Sequence, residues 1–253
     1  MVTYVLIHGG GTTARFWDRL LPHLDAPAVA VDLPGRADRP ADLATLTVGQ
    51  ETASVVADIG HLDGPVVVVA HSSGGLVVPG VVRALRGRVR AVVLSAALVP
   101  PAGGCGIDCI KERHREGLAL AVAAAERDGT VITLPGAPED PEALRHAYGG
   151  DPLDDDTLAY VADPVRCVED TVHHYFQPVD WSDVSGVALA YVLNERDRPV
   201  PPATQEAMAA RLPAPATVFR VDSGHLLPVV APDTFSAVLA HVAGRPTSGK
   251  TAP

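Results

Sequence analysis

Two adjacent serines, Ser72 and Ser73, lie in GPVVVVAHSSGGLVVPGVV (64–82), between a hydrophobic run and a second apolar segment. A serine hydroxyl attacks a carbonyl only when a base takes its proton. It is best presented at a sharp strand-to-helix turn. There strand and helix approach closely, so the residues two before and two after the serine must be small. For Ser72 these are Ala70 and Gly74. For Ser73 they are His71 and Gly75, and an imidazole does not fit. Ser72 is therefore the candidate nucleophile, and Ser73 supplies the next backbone N–H. The competing explanation is a pair of helix N-cap serines.

Of the ten histidines, His225 in FRVDSGHLLP is the candidate base, directly after the last strand-like run and before the last helical one. His8 follows a strand but sits beside Gly9–Gly11, where another task suits it. His173 and His174 are read as surface or substrate-facing. His23, His61, His114, His146 and His241 lie in helical or polar surroundings and are expected to be solvated, while His71 packs beside the serine turn. Asp197 in YVLNERDRPVPP is the candidate acid that orients the imidazole. It follows Ser72 by 125 residues and precedes His225 by 28, an order expected of a serine triad on this kind of sheet. Glu195 is the nearby alternative, and Asp222 is expected to stabilise its own loop. RAVVLSAAL ends without a carboxylate, which excludes an acid there.

The developing oxyanion needs N–H donors. HGGGTT follows the first strand-like run, and its glycines let a backbone N–H turn inward. The amides of Gly10 and Ser73 are the candidate oxyanion-hole donors, with Gly11 the alternative to Gly10. HGGG lacks the Lys-Ser/Thr ending of a phosphate loop, and GxGxxG is not matched.

These residues need a scaffold. TYVLIHG, AVAVDLPG, PVVVVAHS, RAVVLSAAL, VALAYVLNE and ATVFRVDSG are short and almost continuously apolar, as parallel strands covered on both faces should be. Helical spacing marks 15–24, 47–62, 74–85, 202–212 and 233–243. The alternation predicts an α/β fold: a doubly wound, mostly parallel six-stranded sheet. The rhythm fails between 99 and 186, where a helix is expected over 107–127, followed by Pro- and Asp-rich sequence. A structureless loop of that length is improbable, so the segment is read as a mostly helical cap inserted between strands. The core comprises 1–98 and 187–245, and the Pro/Ser/Gly-rich tail 246–253 is expected to be disordered.

The chain has 253 residues and a net charge of −10, with its basic residues scattered, which argues against nucleic acid as a partner. Its apolar runs are far short of the ~20 residues of a membrane span. Met1 leads straight into a strand pattern, so a cytoplasmic protein is expected. Cys105, Cys109 and Cys167 are expected to be free thiols. The sequence leaves a monomer and a homodimer both open.

With HGGG, AHSSGG, an Asp after the penultimate strand and SGH after the last, the chain resembles the α/β-hydrolase superfamily over residues 2–245. More narrowly, LIHGGGTTARFWDRLLPHL, VAVDLPGR, QPVDWS and DSGHLLPVVAPDTF are similar to the esterase-like branch that includes plant methyl-ester esterases and hydroxynitrile lyases. The usual turn has Gly where Ala70 stands and a bulkier residue at Ser73. Hydroxynitrile lyases place Lys directly after the catalytic His, where this chain has Leu226. Epoxide hydrolases and dehalogenases put Asp at the position of Ser72. The resemblance implies a serine hydrolase acting on an ester or lactone of a small hydrophobic molecule, with no cofactor or metal. Two other functions compete: non-hydrolytic chemistry at the same site (carbon–carbon cleavage, thioester transfer or cyclisation), and a small-molecule receptor. The Ala-rich LALAVAAA of the cap could face a hydrophobic substrate or simply pack in the core.

Overall fold

Unbroken Val, Ala, Leu and Ile runs of five to seven residues are too short for stable helices and suit a sheet buried on both sides. A computed structural model of the chain describes residues 2–244; the tail at 246–253 falls outside the described residues. In chain order the strands are β1 (Thr3–Ile7), β2 (Ala28–Val31), β3 (Val66–His71), β4 (Val89–Ser95), β5 (Thr133–Leu134), β6 (Asp170–Thr171), β7 (Ala188–Asn194) and β8 (Ala216–Val221). Six of them form one sheet in the order β2-β1-β3-β4-β7-β8, every pair parallel. β5 and β6 make a small separate antiparallel ladder.

Side chains alternate across a strand, so each apolar run feeds two cores. Val5, Ile7, Val66, Val68, Tyr191 and Leu193 face one layer. Tyr4, Leu6, Val67, Val69, Ala190 and Val192 face the other. The first layer is closed by α1 (Val48–Ile59) and α2 (Val78–Ala84), which contribute Val55, Ile59 and Val81. Between β4 and β7 come α3 (Glu112–Asp128), α4 (Glu142–Ala147) and α5 (Asp155–Ala162), together with the β5–β6 ladder. After β7 follow α6 (Pro202–Ala210), α7 (Leu227–Val230) and α8 (Pro232–Val242). α8 closes the second layer with Phe235, Val238 and Leu239. Among the described residues no helix is long and apolar enough to cross a membrane.

Three details differ from the pattern reading. β8 is the outermost strand, and its Thr217, Val218 and Arg220 are exposed rather than covered. The stretch 15–24 is not one helix but two 3-10 turns, Ala14–Trp17 and Leu21–His23. Pro22 lacks the N–H a continuing helix needs and crowds the preceding turn. The stretch 74–85 begins as a 3-10 turn over Ser72–Val77 and becomes α-helical only at Val78. There Pro79 occupies the first turn, where a missing N–H costs little.

Candidate active site

β1 and β3 are neighbours, but the chain leaves them toward opposite sides of the sheet. The loops at their carboxyl ends therefore open a crevice at a switch point of the winding. The pairing of Ile7 with Ala70 sets HGGG beside the serine turn. Gly9 is forced by this closeness, since a Cβ there would lie 2.9 Å from Ser72 Cβ. Ser72 itself has φ of 51°, the left-handed region that L residues adopt only under strain. A Cβ on Gly74 would come 2.4 Å from the His8 carbonyl oxygen, so that position admits no side chain. The two serines differ in access: Ser72 is half-buried, whereas Ser73 is buried.

His225 lies in the loop after β8, where its Nδ1–H donates to Asp197 Oδ2 at 2.7 Å. That bond leaves Nε2 as the acceptor on the other side of the ring. The second Asp197 oxygen accepts the Val200 N–H at 2.7 Å. The acid and histidine loops are joined through their backbones as well, Glu195 N–H to Val221 O at 2.9 Å and Arg196 N–H to Ser223 O at 2.8 Å. Glu195 pairs instead with Arg220, and Asp222 with Arg196. His71 connects the serine turn to the histidine. Its Nε2–H donates to the His225 carbonyl at 2.9 Å, and the two rings are 4.6 Å apart. Burial, with the His225 charge adding to it, holds the His71 imidazole well below its ordinary pKa and so neutral.

The HGGG loop is fixed from the segment between β4 and β7. The Gly11 N–H donates to Asp170 Oδ2 at 2.8 Å, and the Gly11 carbonyl accepts from Val168 at 2.9 Å. With Gly11 so committed, Gly10 and Ser73 remain as the candidate oxyanion donors. The Tyr175 hydroxyl and Ser73 Oγ crowd the face of Gly10, at 2.9 and 3.2 Å from where a Cβ would sit. His8 is neutral, with burial lowering its pKa to about 4; its Nε2 accepts the Leu33 N–H at 3.2 Å and its Nδ1–H is directed to Gly9 O. It ties β1 to β2.

Behind the loop lies a buried charged cluster. Arg36 bonds to Asp170 and, at 3.3 Å, to Glu51, which is also 3.1 Å from His174 Nδ1. This corrects the surface or substrate-facing reading of His174, which is buried and ion-paired, while His173 is half-buried. The other five outlying histidines are all exposed. The three cysteines are free, and burial pushes the Cys109 thiol up to about 12.

A cavity of about 360 Å³ adjoins the crevice. Gly10 and Gly11 form one wall, and Phe16, Leu134, Leu144, Tyr148, Val161 and Leu226 make much of the rest. Its one charged lining residue, Arg166, is already paired with Asp163 at 2.9 Å and Asp18 at 3.0 Å. The Ala-rich stretch of α3 does not line this cavity, and within it only Ala125 is buried, while Leu120 is 72% exposed. Among the described residues no cluster of three or more His, Cys, Asp or Glu could hold a metal ion.

Residue types and spacing do not point to Tyr148, Asp151, Asp170 or Tyr175. Each reaches the crevice only by tertiary contact from the cap. The one local sign is that Asp151 follows two glycines, unlike Asp154, Asp155 and Asp156 beside it.

A family model described as the alpha/beta hydrolase family matches residues 4–238. Comparison with curated proteins returned no match. Similar solved structures include an extracellular alpha/beta-hydrolase from a Paenibacillus species, itself described as sharing structural and functional homology with tobacco salicylic acid binding protein 2. It is 18% identical with a TM-score of 0.79, and the match covers 96% of this chain and 99% of that one. A pyrethroid hydrolase from Sphingobium faniae is 18% identical with a TM-score of 0.76, covering 97% and 99%. A methylesterase from Arabidopsis is 19% identical with a TM-score of 0.71, covering 96% and 99%. At such identities the likeness carries the fold.

Proposed function

The chain belongs to the alpha/beta hydrolase family, and on that basis we propose that it is a serine hydrolase cleaving a carboxylic ester or lactone of a small hydrophobic molecule. The observation that carries the reading is the 2.7 Å contact between His225 Nδ1 and Asp197, joined through the His71–His225 hydrogen bond to the turn that holds a strained, half-buried Ser72. Ser72 Oγ attacks the carbonyl carbon as His225 Nε2 takes its proton. Asp197 keeps the imidazole in the required tautomer and stabilises the imidazolium. The Gly10 and Ser73 amides receive the oxyanion, and one such donor is typically worth about 3–4 kcal/mol. His225 then protonates the leaving alkoxide, and water attacking through the same base releases the acid from an acyl-enzyme.

The apolar cavity and the fully paired Arg166 favour an uncharged substrate. The names of the structural neighbours, a methylesterase and a pyrethroid hydrolase, fit ester chemistry. The test is hydrolysis of short nitrophenyl esters by the wild type and by Ser72→Ala. Turnover confined to the wild type supports the reading, and equal turnover in both ends it. Product formed without any trapped acyl-enzyme favours non-hydrolytic use of the same site.

A further inference from the structure

One turn of the cap, YGGD at 148–151, touches both loops of the candidate triad. The carboxylate of Asp151 is buried and accepts three hydrogen bonds from the loop carrying His225. Oδ1 takes the Ser223 hydroxyl at 3.2 Å and the Gly224 N–H at 2.9 Å, and Oδ2 takes the Leu226 N–H at 3.0 Å. These donors flank His225 on both sides. A Cβ at Gly224 would lie 2.4 Å from Asp151 Oδ2, so the carboxylate occupies the space a side chain there would need.

The glycines bring the same turn onto the acid loop. A Cβ at Gly150 would stand 1.8 Å from the Arg196 carbonyl oxygen, and one at Gly149 2.3 Å from the Arg198 guanidinium. Arg196 and Arg198 are the neighbours of Asp197. Tyr148 lies nearly parallel to the His225 imidazole, with ring centroids 6.0 Å apart at 6°, and its carbonyl accepts the Asp151 N–H at 2.9 Å. No other described residue of the cap bonds to the 223–226 loop through its side chain.

We propose that Asp151 is a positioning residue for the catalytic histidine, a cap carboxylate that fixes the 223–226 loop and makes the alignment of His225 depend on a docked cap. The proposal rests on the serine-hydrolase reading above. Three donors meeting two oxygens call for a carboxylate; an amide keeps one acceptor and turns an NH₂ toward one of them. Burial raises the Asp151 pKa, with the three hydrogen bonds and the His225 charge acting the other way.

The test compares wild type, Asp151→Asn and Asp151→Ala by the rate at which a fluorophosphonate labels Ser72, by kcat and KM on a nitrophenyl ester, and by thermal unfolding. The expected result is a folded Ala variant labelled about 10- to 100-fold more slowly, as for a misplaced catalytic group. Its kcat falls to match while KM moves by no more than about twofold, and the Asn variant lies between. A folded Ala variant labelled at the wild-type rate overturns the proposal. If the Ala variant does not fold, the Asn variant decides by the same criterion. A wild type that is not labelled at all contradicts the hydrolase reading itself, and the proposal goes with it.

Discussion

Helix α3 and the stretch 148–174 belong to the same insertion but relate to the rest of the molecule in opposite ways. Among the described side chains of α3 only Ala125 is buried, and Leu120 stands in solvent. The later stretch sinks Asp151, Asp170, Thr171 and His174 below the surface and bonds them to the His225 loop, the HGGG loop, the Leu43 carbonyl and Glu51. Apart from Ala125 the apolar side chains of α3 are at most half-buried, while 148–174 buries these polar groups alongside Leu153, Leu158 and Val172. Buried polar groups are mostly satisfied: Asp151 and Asp170 bond to loops of the crevice, His174 Nδ1 to Glu51 on α1, and the Thr171 hydroxyl to the Leu43 carbonyl. The 148–174 stretch supports the loops of the candidate site, whereas α3 contributes no residue to the lining of its cavity.

The largest expected effect is at Asp170. Asp170→Ala leaves buried Arg36 with Glu51 as its one remaining carboxylate and the Gly11 amide without its acceptor, and breaking such a buried pair costs about 3–5 kcal/mol. Chemical denaturation measures this, and a loss under about 1 kcal/mol would erase the contrast with α3. Next is Gly150→Ala, whose added methyl meets the Arg196 carbonyl. Overpacking of this kind costs about 1–3 kcal/mol, and kcat should fall with it as the Asp197 loop is displaced.

The Glu51–His174 pair adds a pH dependence. Burial pushes Glu51 up, but the charges of His174 and Arg36 outweigh it and hold the carboxyl below its ordinary 4.5. Burial pushes His174 down, but Glu51 outweighs it and holds the imidazole above its ordinary 6.5. A lowered carboxyl stabilises the fold above 4.5, and this is lost as pH falls through its folded value. A raised imidazole stabilises it fully below 6.5, and this is lost as pH rises through its folded value. The pair contributes most between these two ordinary values. The gap in melting temperature between wild type and His174→Gln should peak in that window and shrink on the alkaline side; a gap constant from acid to alkaline pH contradicts the assignment. The smallest effect is expected outside: Leu120→Gln should change stability by no more than about 0.5 kcal/mol and leave kcat/KM as it was.

The same contrast explains what could be read from the residues alone. Ser72 follows β3 directly, and Asp197 and His225 lie in the short turns after β7 and β8, so strand pattern and turn chemistry point to one end of the sheet without knowledge of the inserted segment. The central strands were legible because Val66–Val69 and Leu189–Leu193 feed two cores and admit no polar residue. The exposure of β8 was not, because an outermost strand can carry the same residues as an inner one. Asp151 and Asp170 were hidden for a different reason. Apart from the two glycines before Asp151, nothing local separates an aspartate that binds a distant loop from those beside it that face water. LALAVAAA misleads in the other direction, since its helix needs only one face against the molecule and spends the rest in solvent.

The central claim is that Ser72 becomes acylated with His225 and Asp197 behind it. Intact-mass spectrometry and peptide mapping after brief exposure to a slowly hydrolysed ester test this most directly. An acyl adduct is expected on the peptide holding Ser72 in the wild type and none in Ser72→Ala, with turnover lower in that variant by about a millionfold. An adduct on another residue, or turnover persisting in Ser72→Ala, contradicts it.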